Sequence, residues 1–350
     1  WWQPGPTLHY GTADTFFSLD RMERLDGGTT RYEYAYYLTL LSVTDARENL
    51  TQADIDYNRV APWQITDPNG TVAEVRYDPL GMIVVATNQG TVAGPSGTSV
   101  LYGHDRLTAY TPPSADETDT AAIIADPARF VQNIGQFLHY DLAVIPPVSI
   151  SLVQEQWVHD SSDSPSGESP VQVQLTDLDG VGRTLQSKQR VEEGPAIQRN
   201  DAGDVIPDPQ GRPLEVYSTE RWRVSGHTVY NNKQLPVRQY EPFFSTLTRF
   251  EGDEELQTFG VSTLSRYDAL GRVIRVTAPN GQMMEHGYLK RSHSIVVKGQ
   301  STEGDKLISW TQTDALGNVN SVRNYRPSGS SWAKDAEVTL THDVTGNLTR

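Results

Sequence analysis

The chain has 350 residues, no cysteine, 28 glycines, 21 prolines and a formal charge of −15, with a mean hydropathy of −0.51 and a pI near 4.9. These values exclude a disulfide framework, thiolate chemistry and Cys-based zinc, and the absence of a basic stripe argues against a nucleic-acid partner. No run of about 18 apolar residues occurs, so no spanning helix and no direct membrane insertion are expected.

The hydrophobic share is 37%, and 16 Tyr and 7 Trp stand against 8 Phe. Amphipathic rings and abundant turn formers lean towards strands with one wet edge. The length admits two domains or one extended repeat. Trp1 opens the chain without an initiator Met or signal-like segment, and Arg350 falls inside a repeat-like unit. Both ends predict a piece excised from a longer polypeptide.

Residues 1–43 read as strands, with Tyr32, Tyr34 and Tyr36 alternating on one face behind a Gly27-Gly28 turn. Residues 44–86 are repeat-like. The Gly, Pro, Ser and acidic residues of 91–125 predict a surface loop insertion. A helical brace is predicted over 126–141: Asp126 suits the N-cap and Pro127 the first turn, and Phe130, Ile134, Phe137 and Leu138 share a helical face. Such a stripe is a packing face rather than a ligand box. Val148–Val158 reads as strand and 159–170 as a second, polar loop insertion. Hairpins follow from Val171, interrupted by a Pro- and Gly-rich stretch over 194–213.

One pattern recurs: an aromatic residue or Thr, Asp, two residues, Gly, often Arg or Asn, then alternating apolar positions. Its copies centre on Tyr77, Asp78 and Gly81; Asp179, Gly182 and Arg183; Tyr267, Asp268, Gly271 and Arg272; Asp314 and Gly317; and Asp343 and Gly346. Weaker echoes start at Asp208 and at Asp45, where Glu48 replaces Gly. Asp caps a turn with its side chain, Gly supplies a positive φ, and the tail alternates as a strand. A second signal, Asp67-Pro68-Asn69-Gly70 and Ala278-Pro279-Asn280-Gly281, predicts a two-residue Asn-Gly reversal. The irregular spacing between copies suits a spiralling hairpin sheet better than a propeller.

With Tyr77-Asp78 and Tyr267-Asp268 in place, the chain resembles the RHS/YD-repeat proteins. It is most similar to the shell-forming C-terminal part of the B subunit of bacterial insecticidal Tc toxin complexes. The resemblance covers most of the chain. Its carriers are Asp179 to Arg183, Trp222 to Lys233, Pro236 to Phe244, Asp126 to Leu142 and Val148 to Trp157. One departure is Gln234, at a turn position where Gly is expected.

The resemblance implies a fold of spiralling, stacked antiparallel β-hairpins over 1–350. It also implies a secreted, hollow shell that encloses a toxic polypeptide from a C-type RHS subunit and connects indirectly to a pore-forming A subunit. Asp78-Pro79-Leu80-Gly81 is similar to a sequence that related C subunits carry near an autocleavage site. Met82 and a full repeat tail follow it here, which favours a structural turn.

Neither enzyme nor cofactor chemistry is expected. His9, His104, His139, His159, His227, His286, His293 and His342 show no zincin spacing, and no nucleophile elbow or phosphate loop occurs. Each prominent Asp has a turn to explain it. Asp253-Glu254-Glu255 reads as a solvated charge run. The alternative function is an extracellular adhesion or carbohydrate-binding surface, which would require Trp222, Trp310 and the Tyr32–Tyr36 stripe to lie exposed in grooves.

Overall fold

In the computed structural model, which describes residues 5–94, 98–159, 170–200, 203–288, 294–300, 306–314 and 316–349, each strand pairs mainly with its sequence neighbour. The chain divides into two units, Trp1–Leu175 and Thr176–Arg350. The first begins with nine strands: β1 (Thr7–Tyr10), β2 (Leu19–Glu23), β3 (Thr29–Ala35), β4 (Thr39–Thr44), β5 (Leu50–Asp56), β6 (Ala61–Thr66), β7 (Val72–Tyr77), β8 (Ile83–Ala93) and β9 (Ser99–Gly103). All pair antiparallel in chain order. β8 also pairs at Val85 and Ala86 with β10 (Gln136–Asp141), which pairs in turn with β11 (Val148–Gln154).

Between β9 and β10 lie α1 (Thr120–Ala125) and α2 (Pro127–Val131), capped by Asp119 and Asp126. The span 91–125 is therefore not a surface loop. It holds the outer arms of the β8–β9 hairpin and α1, and it buries Leu107, Tyr110, Ile123 and Ile124. The predicted brace is also shorter than 126–141. The helix ends at Val131, because Gln132 turns left-handed at φ +48°. Phe130, Ile134 and Phe137 are buried as the stripe requires, but Phe137 and Leu138 sit on β10. Pairing on both edges, to β8 and β11, outweighs the marginal stability of a short helix.

The chain continues through β12 (Val171–Leu178). In the second unit, β13 (Thr184–Val191) pairs with β16 (Arg221–Ser225), and β16 pairs with β19 (Phe243–Ser245). β14 (Gly194–Ile197) pairs with β15 (Glu215–Ser218) and meets β19 at Ile197 and Ser245. Among the described residues of the rest of 194–213, Arg199 bridges to Val205 and Pro207 to Pro213. A second sheet runs in chain order through β17 (Thr228–Tyr230), β18 (Pro236–Tyr240), β20 (Ser262–Tyr267), β21 (Val273–Thr277) and β22 (Met283–Tyr288). It continues through β23 (Ser294–Gln300), β24 (Lys306–Thr313), β25 (Val319–Ser328) and β26 (Ser331–Thr339). α3 (Asp253–Leu256) precedes β20. Of the loop expected over 159–170, residues 160–169 lie outside the described residues, as does His293.

Candidate functional surface: a wall of capped hairpins

Every repeat copy singled out in the sequence forms the same turn. At Asp268 the main-chain N–H donates to the Arg272 carbonyl at 2.9 Å, and the Gly271 N–H donates back to the Asp268 carbonyl at 3.1 Å. The Asp268 Oδ1 accepts the N–H groups of Leu270 (2.9 Å) and Arg272 (3.0 Å). Asp78, Asp179, Asp314 and Asp343 repeat this pattern. The weaker echoes at Asp45 and Asp208 do so too.

The carboxylate thus does for the reversal what an N-cap does for a helix. For Asp67, Asp208 and Asp268, the N–H four residues on is the main cause of a pKa held below the usual carboxylate value.

The Arg or Asn after the glycine has a matching role. Arg183, Arg212 and Arg272 bring Nε back to Oδ2 of their own turn's Asp at 2.6, 3.1 and 2.7 Å, and Asn318 and Asn347 do the same through Nδ2. Arg183 and Arg272 then lie over the rings of Tyr230 and Tyr288, 4.3 and 4.2 Å from their centroids.

The tyrosine of each Tyr-Asp pair reaches sideways. Tyr77 donates its hydroxyl to the Pro62 carbonyl and Tyr267 to the Pro236 carbonyl, both at 2.8 Å. Each sits at a register shift next to the turn. Gly thus follows turn geometry, Arg follows the carboxylate, and Tyr follows the neighbouring strand.

Two sequence expectations about turns are corrected. Asp67 to Thr71 makes the same capped turn, and Ala278 to Gln282 repeats its main-chain hydrogen bonds without a capping carboxylate; neither is a two-residue Asn-Gly reversal. A two-residue type I′ turn over Asn69-Gly70 needs positive φ at both, and only Gly70 is left-handed, at +78°; Pro68 instead takes the first central position of the turn that the Gly70 N–H closes on the Asp67 carbonyl. Gln234, in place of the expected glycine, adopts φ +63° and preserves the turn around Asn231, as Glu48 does at +62°.

In the first unit the register gives the wall two unlike faces. Glu33, Ser42, Gln52, Asp54, Gln64, Glu74 and Thr87 fall on one. There, Ser42 donates to Glu33 (2.9 Å) and Gln64 to Asp54 (3.1 Å). Arg106 donates to Gln64 (2.9 Å) and Glu74 (2.5 Å), and the Leu107 N–H closes on Glu74 at 2.7 Å. Glu74 is buried. Burial pushes its carboxyl up, and the Arg106 hydrogen bond, the Leu107 N–H and the Arg106 charge together outweigh that and hold the pKa below the carboxylate norm.

The other face carries Tyr32, Val43, Thr51, Ala53, Ile65 and Ala73. A cleft of about 410 Å³ opens on it, lined among others by Leu41, Val43, Ala53, Val60 and Ile65, with no charged residue in its lining. Nothing in residue type announced the Glu74–Arg106 ladder, because Glu74 reads as an exposed strand position.

Most of the rings named for a binding groove are covered. Trp222 is fully buried, Trp310 is half-buried, and Tyr32 and Tyr34 are half-buried on β3. Tyr36 leaves the stripe for the β3–β4 turn, left-handed at φ +50°, and meets Tyr57 edge-on at 5.7 Å. His159 contacts Asp105 at 2.7 Å and His227 contacts the Leu185 carbonyl at 3.0 Å. Among the described residues, no three His, Asp or Glu side chains gather to hold a metal, and no helix is long and apolar enough to cross a membrane. At Asp78, Oδ1 serves the turn, and the carbonyl accepts Arg59 at 2.9 and 3.1 Å.

No protein-family model and no curated protein matches the chain. Solved structures do. A crystal structure of TcdB2-TccC3 aligns over 98% of the chain at 23% identity with a TM-score of 0.80. TcdB2-TccC3-Cdc42 and a Photorhabdus luminescens Tc holotoxin pore each align over 98% at 20% identity and 0.79. The chain spans 16–19% of the length of these three solved chains. What is shared at this identity is the backbone, and on that ground the chain has the fold of a segment of the RHS hairpin shell of Tc toxin B–C assemblies.

Proposed function

We propose that the chain is a wall segment, without catalytic role, of a secreted toxin's hollow β shell, and that 1–350 is one stretch of that wall. In this reading the shell encloses a toxic polypeptide supplied by a C-type RHS subunit, and the assembly meets a pore-forming A subunit outside the producing cell. The observation that carries the reading is the fold shared over 98% of the chain with B–C toxin structures.

The two-faced wall supports it. Side chains lace one face together, while the other offers apolar surface without fixed charge, which tolerates many sequences of an unfolded chain. Adhesion to glycans is less well supported, since Trp222 is buried and Tyr36 and Tyr57 stand edge to face instead of forming a flat platform.

The test is to co-express the full-length parent with its neighbouring C-type subunit, then challenge the pair with protease. Co-purification and a protected C-terminal cargo are expected. A cargo digested as fast in the pair as alone would refute encapsulation.

A further inference from the structure

In the second unit, β13 sends two side chains under the segment 246–260 that joins β19 to β20. Gln186 pairs both ways with the Glu251 main chain, its Nε2 donating to the carbonyl and its Oε1 accepting the N–H, each at 3.1 Å. Lys188, with no solvent exposure, donates to the carbonyls of Leu247 (3.1 Å) and Arg249 (2.5 Å) and to Glu251 Oε2 (2.8 Å). An ammonium has three hydrogens to give, and all three go to this segment.

The other Glu251 oxygen is taken by Arg199, which also reaches Glu255 and the Gly203 carbonyl. Arg249 pairs with Glu255 at 3.0 Å. Further along, Asp253 accepts the Tyr240 hydroxyl at 2.7 Å, and Phe259 packs edge-on against Phe243.

One acid is left over. Asp177, on β12, is buried, and its Oδ2 has no hydrogen-bond partner. The charges felt by Asp177 are Lys188 and Glu251, and Lys188 has no hydrogen left for it. A buried carboxylate oxygen without a donor is costly. A proton placed on it removes the charge.

We propose that Asp177 operates a proton-dependent clasp: protonated, it holds the segment 246–260 closed on β13, and ionised, it loosens that segment. Burial pushes the Asp177 carboxyl up to about 6, with Lys188 opposing and Glu251 adding to the rise. The folded value lies above the ordinary 3.8. The stabilisation is therefore complete below that value, declines as pH rises and is gone once pH has passed about 6. One linked proton makes opening rise by up to about tenfold per pH unit across this window.

Of the other charged groups around the clasp, Glu251, Arg199, Glu255, Arg249 and Asp253 are paired as described. Lys188 is lowered by burial against the pull of Glu251 and Asp177. His227 is lowered by burial against the Leu185 carbonyl and Asp253, so its contribution weakens towards acid and opposes that of Asp177.

Hydrogen exchange on the full chain from pH 4 to pH 7, corrected for intrinsic rates, tests this on peptides covering 246–260. Wild-type protection should fall across the window. Asp177→Asn, neutral at every pH, should stay as protected at pH 7 as the wild type at pH 4. Infrared difference spectra of the unaltered chain add a second readout, a protonated carboxyl persisting at pH 5. The same pH dependence in Asp177→Asn, a wild-type profile that is flat or rises towards pH 7, or absence of that carboxyl signal would overturn the clasp.

Discussion

Gln234 and Gly271 hold the same place in two copies of one turn, at φ +63° and +82°, so exchanging residue types between them isolates the conformational cost. A left-handed φ costs an L-residue about 1–2 kcal/mol, and glycine escapes it. Glycine's looser unfolded chain returns about 0.4–1 kcal/mol of that. Gln234→Gly should therefore stabilise the second unit by about 0.5–1 kcal/mol, and Gly271→Ala should destabilise it by a similar amount.

Packing does not confuse the comparison. Gln234 is exposed, and a Cβ on Gly271 would meet Leu235 Cδ1 at 3.5 Å, an ordinary contact. Both residues lie in the same unit, so one urea transition should report both, with midpoints shifting in opposite directions at constant m. A Gln234→Gly that is neutral or destabilising, beside a destabilising Gly271→Ala, would refute the claim that the two turns are equivalent.

Trp222→Ala should cost about 3–5 kcal/mol, because a fully buried indole leaves a cavity, and chemical denaturation of the second unit measures it. Glu74→Ala should strand the Leu107 N–H and cost about 1–3 kcal/mol, seen as lost exchange protection across residues 104–135. Asp67, Asp208 and Asp268 have pKa values below the ordinary 3.8. Their stabilisation is present above that value and lost as pH falls through the lowered ones. Thermal midpoints should therefore drop on acidification below about pH 4, and Asp268→Asn should flatten part of that drop.

The hairpins were legible because their turns are local. Asp caps, Gly bends and Arg returns to Asp within five residues, so the sequence around Asp268 or Asp314 contains its own instructions. The stacked-hairpin fold followed from them. The sequence of 126–141 reads as a longer helix than forms because Phe130, Ile134 and Phe137 are spaced for one. The partners that claim Phe137 for a strand, β8 and β11, are distant or downstream in sequence. The span 91–125 looked like a loop for a related reason, since its polar composition hides Leu107, Tyr110, Ile123 and Ile124, each isolated in sequence and gathered only by packing. The Lys188 knot left no trace, as its acceptors at Leu247 and Arg249 are main-chain carbonyls.

That last kind of asymmetry also governs the tyrosines of the repeat. Tyr77 and Tyr267 give their hydroxyls to carbonyls that happen to belong to Pro62 and Pro236. The receiving atom is supplied by any residue type, whereas the giving atom is supplied by the ring hydroxyl alone. In a saturation scan, positions 77 and 267 should be intolerant and positions 62 and 236 permissive. Drift on the accepting side can then rewrite most of a hairpin's lettering while the stitch between neighbouring hairpins survives.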